Sequence, residues 1–272
     1  MRFTEAEFVQ GFIRMATDGW DQGWHERNGG NLTYRVKPEE VELVRECFVP
    51  KAWQPIGTEV PHLAGQYFLV TGSGKFFRNV SLAPEANMAM IEVDETGVNY
   101  RIVWGLVNGG RPTSELPTHL MNHEVKMLAT GGKNRVIYHA HPANSIALTF
   151  VLPLMDEAFT RELWEVMTEC AYVFPAGVGV VDWMVPGGRE IGVATSELMK
   201  TYDVAIWAHH GVFVAGEDFD TTFGLMHTVE KAAEVSVKIR SMVPQKAQTI
   251  TVENFRTFAK TFGFELPERF LF

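Results

Sequence analysis

Two hydrophobic rhythms run along this chain. Apolar residues at every third or fourth position predict a helix with one buried face, whereas alternating or unbroken apolar runs predict strands. Phe8, Phe12, Met15 and Ala16 follow the first rhythm. Thr4-Glu5-Ala6-Glu7 before them has capping-box form, with Thr4 as N-cap, so a first helix is expected to end near Gly19. A second helix is expected after Ser114, with Ser114 as N-cap and Pro117 in the first turn, closing at Thr130-Gly131-Gly132. Further helical patterns cover 144–152, 156–167, 190–199, 219–240 and 252–262.

Strands are expected at 32–36, 66–70, 88–93, 100–107, 135–141, 169–174, 177–180, 203–208 and 212–215. Asp94-Glu95-Thr96-Gly97 reads as a hairpin-like link between two of them. Residues 37–66, rich in Pro and charge, follow neither rhythm and read as an exposed excursion. Helices and strands interleave without the strict rhythm of a doubly wound sheet, and no internal repeat interrupts them. The expectation is one α/β domain over 1–272: a three-layer α/β/α arrangement with a mixed, largely antiparallel central sheet.

Composition narrows the function classes. Apolar content of 46% with 21% charged residues is that of an ordinary globular protein. The formal charge of −9 argues against nucleic acid or an anionic membrane surface as the main partner, while a local cluster of donors can still hold an anionic substrate. Cys47 and Cys170 are far apart and unpatterned, so neither a disulfide framework nor a cysteine-based zinc site is expected, and a cytoplasmic location follows. Acids near the N-terminus replace the apolar core of a signal peptide, and no run approaches the ~20 apolar residues of a membrane span.

The chemistry concentrates in Arg135-Val136-Ile137-Tyr138-His139-Ala140-His141-Pro142. Strand positions i and i+2 share a face, so His139 and His141 present two imidazoles side by side where Pro142 stops the ladder. Neutral imidazole suits zinc and its first-row neighbours. Two separately hydrogen-bonded surface histidines are the plain alternative. A third ligand would leave one metal position open for water or substrate. His209 and His210, at the end of another expected strand, both qualify, and spacing alone does not choose between them. Glu115, His119 and His123 at i, i+4 and i+8 offer a rival set on one helix face. Pro117 sets Glu115 ahead of that helix, which favours core or network roles for His119 and His123. The Thr71-Gly72-Ser73-Gly74 turn after a strand can aim backbone amides and a hydroxyl at an anion, although neither nucleotide-binding fingerprint fits.

Five blocks in order carry a resemblance: Asn28-Gly29-Gly30-Asn31-Leu32-Thr33, Thr71 to Asn79, Thr113-Ser114-Glu115-Leu116-Pro117, His139-Ala140-His141, and His210-Gly211-Val212-Phe213. Together they resemble the class II aldolase/adducin superfamily, from Phe8 to at least Met242. The resemblance implies that His139, His141 and His210 bind one Zn2+ per subunit, with Glu115 beside it as general acid/base. It implies phosphate or sugar-oxygen contacts at Asn28, Asn31, Ser73, Gly74, Thr113 and Ser114. It also implies a homotetramer in which Glu169 of a neighbouring subunit assists proton transfer.

The implied reaction is reversible cleavage of a sugar phosphate, L-rhamnulose 1-phosphate, to dihydroxyacetone phosphate and L-lactaldehyde in L-rhamnose catabolism, with zinc as the Lewis acid and no lysine Schiff base. Other superfamily reactions share the blocks: L-fuculose-phosphate cleavage, pentulose-phosphate 4-epimerisation and methylthioribulose-phosphate dehydration. The metal-free, adducin-like use of the fold as an interaction module is disfavoured by the intact His139, His141, His210 and Glu115 set.

Overall fold

The expected strands assemble into one sheet. In a computed structural model, which describes residues 2–272, these are β1 (Asn31–Arg35), β2 (Gln54–Pro55), β3 (Tyr67–Thr71), β4 (Met88–Val93), β5 (Asn99–Gly105), β6 (Val136–Ala140), β7 (Gly179–Val181), β8 (Val204–Trp207) and β9 (Gly211–Gly216). Their order is β2-β5-β4-β3-β1-β6-β9-β8-β7. Every neighbouring pair is antiparallel except β7–β8. The register of the central pair sets the chemistry: Asn31 lies opposite His139, and Thr33 opposite Ile137.

The helices are α1 (Glu7–Asp21), α2 (Pro38–Val44), α3 (Pro84–Asn87), α4 (Leu116–Ala129), α5 (Ala143–Leu148), α6 (Asp156–Val166), α7 (Cys170–Val173), α8 (Arg189–Met199), α9 (Phe219–Met242) and α10 (Val252–Phe262). Strand alternation sends Leu32, Tyr34, Val136 and Tyr138 into a core shared with α1, α5, α6 and α9. The opposite pleats carry Ile137, Trp207 and Phe213, which pack with Ile191 and Met199 of α8. Farther along the same face, Phe68, Val70 and Ile91 pack with Leu116 and Leu120 of α4. Burying each such side chain stabilises the layers by about 1.5–3 kcal/mol. Helices thus cover both faces of a mixed, largely antiparallel sheet, the three-layer α/β/α arrangement expected.

Several local expectations give way. α1 starts at Glu7 with Ala6 as N-cap, not at Thr4, because a single 3-10 turn over Phe3–Glu5 comes first and Arg2 pairs with Glu5. The N-cap of α4 is Glu115 rather than Ser114, and it makes no side-chain cap bond. Residues 37–66 are not a bare excursion. They hold α2 and the edge strand β2, and bury Val41, Val44, Ile56, Val60 and Leu63. Tyr172 and Val173 suggested a strand over 169–174, but Cys170–Val173 is one helical turn, tied by amide bonds from Tyr172 and Val173 to the Glu169 carbonyl. Among the described residues no helix is long and apolar enough to cross a membrane.

Candidate metal centre

β6 delivers His139 as its penultimate residue, and His141 follows just beyond the strand, where its amide donates to the Trp24 carbonyl at 2.9 Å. The β8–β9 hairpin supplies the third ring. His209 sits there at φ +61°, in the left-handed region. That conformation costs a non-glycine residue about 1–2 kcal/mol, though histidine tolerates it better than most. The turn sends consecutive side chains apart. His209 ends exposed, its Nδ1 3.0 Å from the Thr149 hydroxyl and its ring 4.1 Å from that of Phe150. His210 joins the other two instead.

The three imidazole centroids lie 5.0 Å (139–141), 5.1 Å (139–210) and 5.0 Å (141–210) apart. One ring nitrogen from each falls within 4.8 Å of the others, a group able to hold a metal ion. Gly211 makes room for this triangle: a Cβ there would lie 2.9 Å from both the His139 and His141 rings and 2.5 Å from the Ala140 carbonyl.

The hydrogen bonds dictate which nitrogens are free. His139 Nδ1 lies 3.1 Å from the Val212 carbonyl, an acceptor, so Nδ1 carries the proton and Nε2 the lone pair. His141 Nδ1 lies 2.7 Å from Glu26 Oε1, which forces the same tautomer. The two bare Nε2 atoms then face each other at 3.3 Å. Two lone pairs at that separation repel unless a cation lies between them. The Nδ1 of His210 is buried without a hydrogen-bond partner among the described residues.

Burial and the neighbouring histidines push the His139 pKa well below its usual value, and burial takes His210 down to about 4. Both therefore stay neutral near pH 7, as ligation requires. Phe213 stacks on His139 at 4.2 Å, and Trp207 closes the wall behind it. The donor set, three imidazoles with one ring nitrogen from each gathered together, fits a first-row divalent cation.

Glu115 stands at the mouth of α4, 7% exposed, with Oε2 3.9 Å from His139 Nε2. Asn31 Nδ2 donates to the same oxygen at 2.9 Å. Burial raises the Glu115 pKa, and the Asn31 bond opposes that shift only in part. A carboxylate made more basic by desolvation is better matched to moving a proton near neutral pH.

Most of the remaining candidates sit on segments that hydrogen bonds tie to one another. Gly72 bridges to Pro112, Ser73 N–H donates to the Arg111 carbonyl at 2.8 Å, and Thr113 N–H donates to the Thr71 carbonyl at 2.9 Å. The Thr71 hydroxyl accepts from Leu32 N–H at 3.1 Å, which ties the 71–74 turn to the start of β1. Asn31, Ser73, Gly74, Thr113 and Ser114 are thereby gathered on neighbouring segments. The Ser73 amide is committed to the Arg111 carbonyl and the Lys75 amide to the Gly72 carbonyl, which leaves the Ser73 hydroxyl and Gly74 amide as candidates to meet a ligand there. Asn28 is exposed on the loop leading into β1. Glu169 is exposed at the start of α7, and no hydrogen bond or ion pair among the described residues joins it to this cluster.

The rival set is resolved as a network. Both His119 and His123 are fully buried, and the Thr33 hydroxyl lies 2.8 Å from His119 Nδ1 and 2.8 Å from His123 Nε2. Sequence reasoning assigned no role to Thr33, Glu26 or His25. His25 stacks on Phe77 at 3.6 Å, with Nε2 2.6 Å from the Tyr138 hydroxyl and Nδ1 3.0 Å from the Gly29 carbonyl, and so fixes the loop that carries Asn28. The Gly29-Gly30 turn is the signal that this loop packs tightly. Gly30 adopts φ +74°, and a Cβ there would strike the His25 ring and the His139 carbonyl.

The chain belongs to the class II aldolase family: the model described as Class II Aldolase and Adducin N-terminal domain matches residues 10–237. Among its relatives it is similar to the rhamnulose-1-phosphate aldolase of Mannheimia succiniciproducens, 51% identical over 257 residues and 94% of each chain. It is likewise 50% identical over 261 residues to the rhamnulose-1-phosphate aldolase of Escherichia coli O157:H7, covering 96% of this chain and 95% of that one. Among solved structures, a sugar-phosphate aldolase from Thermotoga maritima superposes with a TM-score of 0.74 at 28% identity, over 88% of this chain and 97% of that one.

Proposed function

We propose that this chain, acting as one domain, catalyses the reversible cleavage of L-rhamnulose 1-phosphate to dihydroxyacetone phosphate and L-lactaldehyde, as a zinc-dependent aldehyde-lyase of L-rhamnose catabolism. The single observation that carries the chemistry is the convergence of His139, His141 and His210 beside a buried Glu115. The names and near full-length coverage of the relatives support the substrate.

In this reading the three imidazoles hold one Zn2+ per subunit, which supplies Lewis acidity for the electrons left beside a carbonyl when the carbon–carbon bond breaks. Glu115 moves the proton at that carbon, and Asn31 holds its carboxylate in place by the 2.9 Å bond. The Ser73 hydroxyl and Gly74 amide, with Asn28, Thr113 and Ser114, bind the phosphate and sugar oxygens. They spend remote binding energy on orienting the reacting carbon. Phe213 and Trp207 keep water from the inner side of His139. Glu169 belongs to the site of a neighbouring subunit in a homotetramer, which is why its own chain leaves it exposed. The enzyme works in the cytoplasm.

Incubation with L-rhamnulose 1-phosphate, L-fuculose 1-phosphate and a pentulose phosphate, with dihydroxyacetone phosphate as the readout, tests the assignment. The expected result is product from the rhamnulose ester at a much higher kcat/KM than from the fuculose ester. Epimerised pentulose phosphate as the main product would replace this reading with that of another family member.

A further inference from the structure

We infer that Thr33 is a positioning residue for Glu115, acting through His119 and Asn31; the inference rests on the reading of Glu115 as the acid/base group. The hydrogen bonds form one directed chain, and each link fixes the next. Ionised Glu115 only accepts, so Asn31 must present its Nδ2 to Oε2, at 2.9 Å, and its Oδ1 the other way. That Oδ1 faces His119 Nε2 in a close contact, so His119 carries its proton on Nε2 and leaves Nδ1 bare. The Thr33 hydroxyl, 2.8 Å from this bare nitrogen, donates to it. The oxygen of the same hydroxyl then accepts from His123 Nε2–H at 2.8 Å.

All five groups are buried, at 7% exposure or less, so water does not substitute for a missing link. Thr33 projects from β1 toward α4, the helix that Glu115 caps, and Asn31 is two residues back on the same pleat, opposite His139. The Thr33 hydroxyl therefore supplies the donor that the bare Nδ1 of His119 needs, and so supports the Nε2-protonated tautomer. The tautomer sets the amide orientation of Asn31, and the amide sets where the carboxylate oxygen sits relative to His139. If Asn31 were turned over, its oxygen would face the carboxylate and push it off that position.

The test compares Thr33→Val, which keeps the shape and removes the hydroxyl, with Thr33→Ser, which restores it. Expected for Thr33→Val is a kcat lower by roughly 10- to 100-fold, the usual cost of losing an orienting partner, with KM for the sugar phosphate and metal content unchanged. Thr33→Ser should recover most of the loss. In the wild type, nitrogen chemical shifts should report His119 protonated at Nε2 and bare at Nδ1, a readout that stands even where Thr33→Val fails to fold. A wild-type kcat in Thr33→Val, loss of its metal, no recovery in Thr33→Ser, or a His119 protonated at Nδ1 would each overturn the inference. Glu115→Gln is measured in parallel. Full activity there sinks the acid/base reading itself, whereas an inactive Glu115→Gln beside a fully active Thr33→Val sinks only the role of Thr33.

Discussion

Two groups of histidines flank the Asn31–His139 strand pair, and they differ in what has claimed their lone pairs. His139 and His141 give their Nδ1 protons to Val212 and Glu26, so their Nε2 lone pairs are left facing each other, with His210 closing the triangle. His119 spends both ring nitrogens on Asn31 and Thr33, and His123 gives Nε2 to the same hydroxyl. His139 and His141 are two positions apart and His119 and His123 four, and each pair shares a face. Spacing therefore says which rings share a face, while the partner of each nitrogen decides between a site that takes a cation and a network that holds a carboxylate still.

The most severe way to break that comparison is to remove the cation. Treatment with a strong chelator should take the aldolase rate to background and zinc should restore it. His139→Ala should abolish metal binding outright, because it removes the innermost ligand. Next in size is Glu115→Gln. It should keep the metal but slow turnover by roughly 10²–10⁴-fold, the range for a lost acid/base group. A rate near wild type would assign the proton to another residue. Glu26→Gln is milder: it weakens the hold on the His141 tautomer, and metal affinity measured by chelator competition should fall roughly 10- to 100-fold.

The smallest effect separates the groups by pH rather than by metal. Burial holds the His119 pKa down at about 3, far below the value of about 6.5 in an unfolded chain. The unfolded state therefore takes up this proton first as pH falls. Stability is whole above pH 6.5 and is lost between 6.5 and about 3, by up to about 1.4 kcal/mol per pH unit for this group. Urea midpoints at pH 7 and pH 5 should show the drop, and His119→Gln should make it smaller. An equal drop in the variant would mean that His119 is not held neutral.

The sequence made local geometry readable and left longer-range geometry hidden. His139 and His141 follow from strand periodicity alone, and the position of Glu115 ahead of α4 follows from Pro117. His209 against His210 did not, since the choice lies in one backbone torsion of the hairpin. The strand expected over 169–174 failed because Tyr172 and Val173 carry strand propensity that a short turn between α6 and β7 overrides. Residues 37–66 hid their buried side chains because Val41 and Val44 make a single helical repeat, while Ile56, Val60 and Leu63 fall at helical spacing in a stretch that forms no α-helix. Thr33 was out of reach for a different reason. Its partners, His119 and His123, lie more than eighty positions away, and only the packing of α4 on β1 brings them together.

The most direct test is an anomalous-difference map collected at the zinc edge on crystals of the zinc-loaded protein. The account predicts one strong peak per chain, within bonding distance of His139 Nε2, His141 Nε2 and a ring nitrogen of His210, with none beside His119 or His123. A peak on the His119–His123 side, or no peak among the three rings, would contradict it.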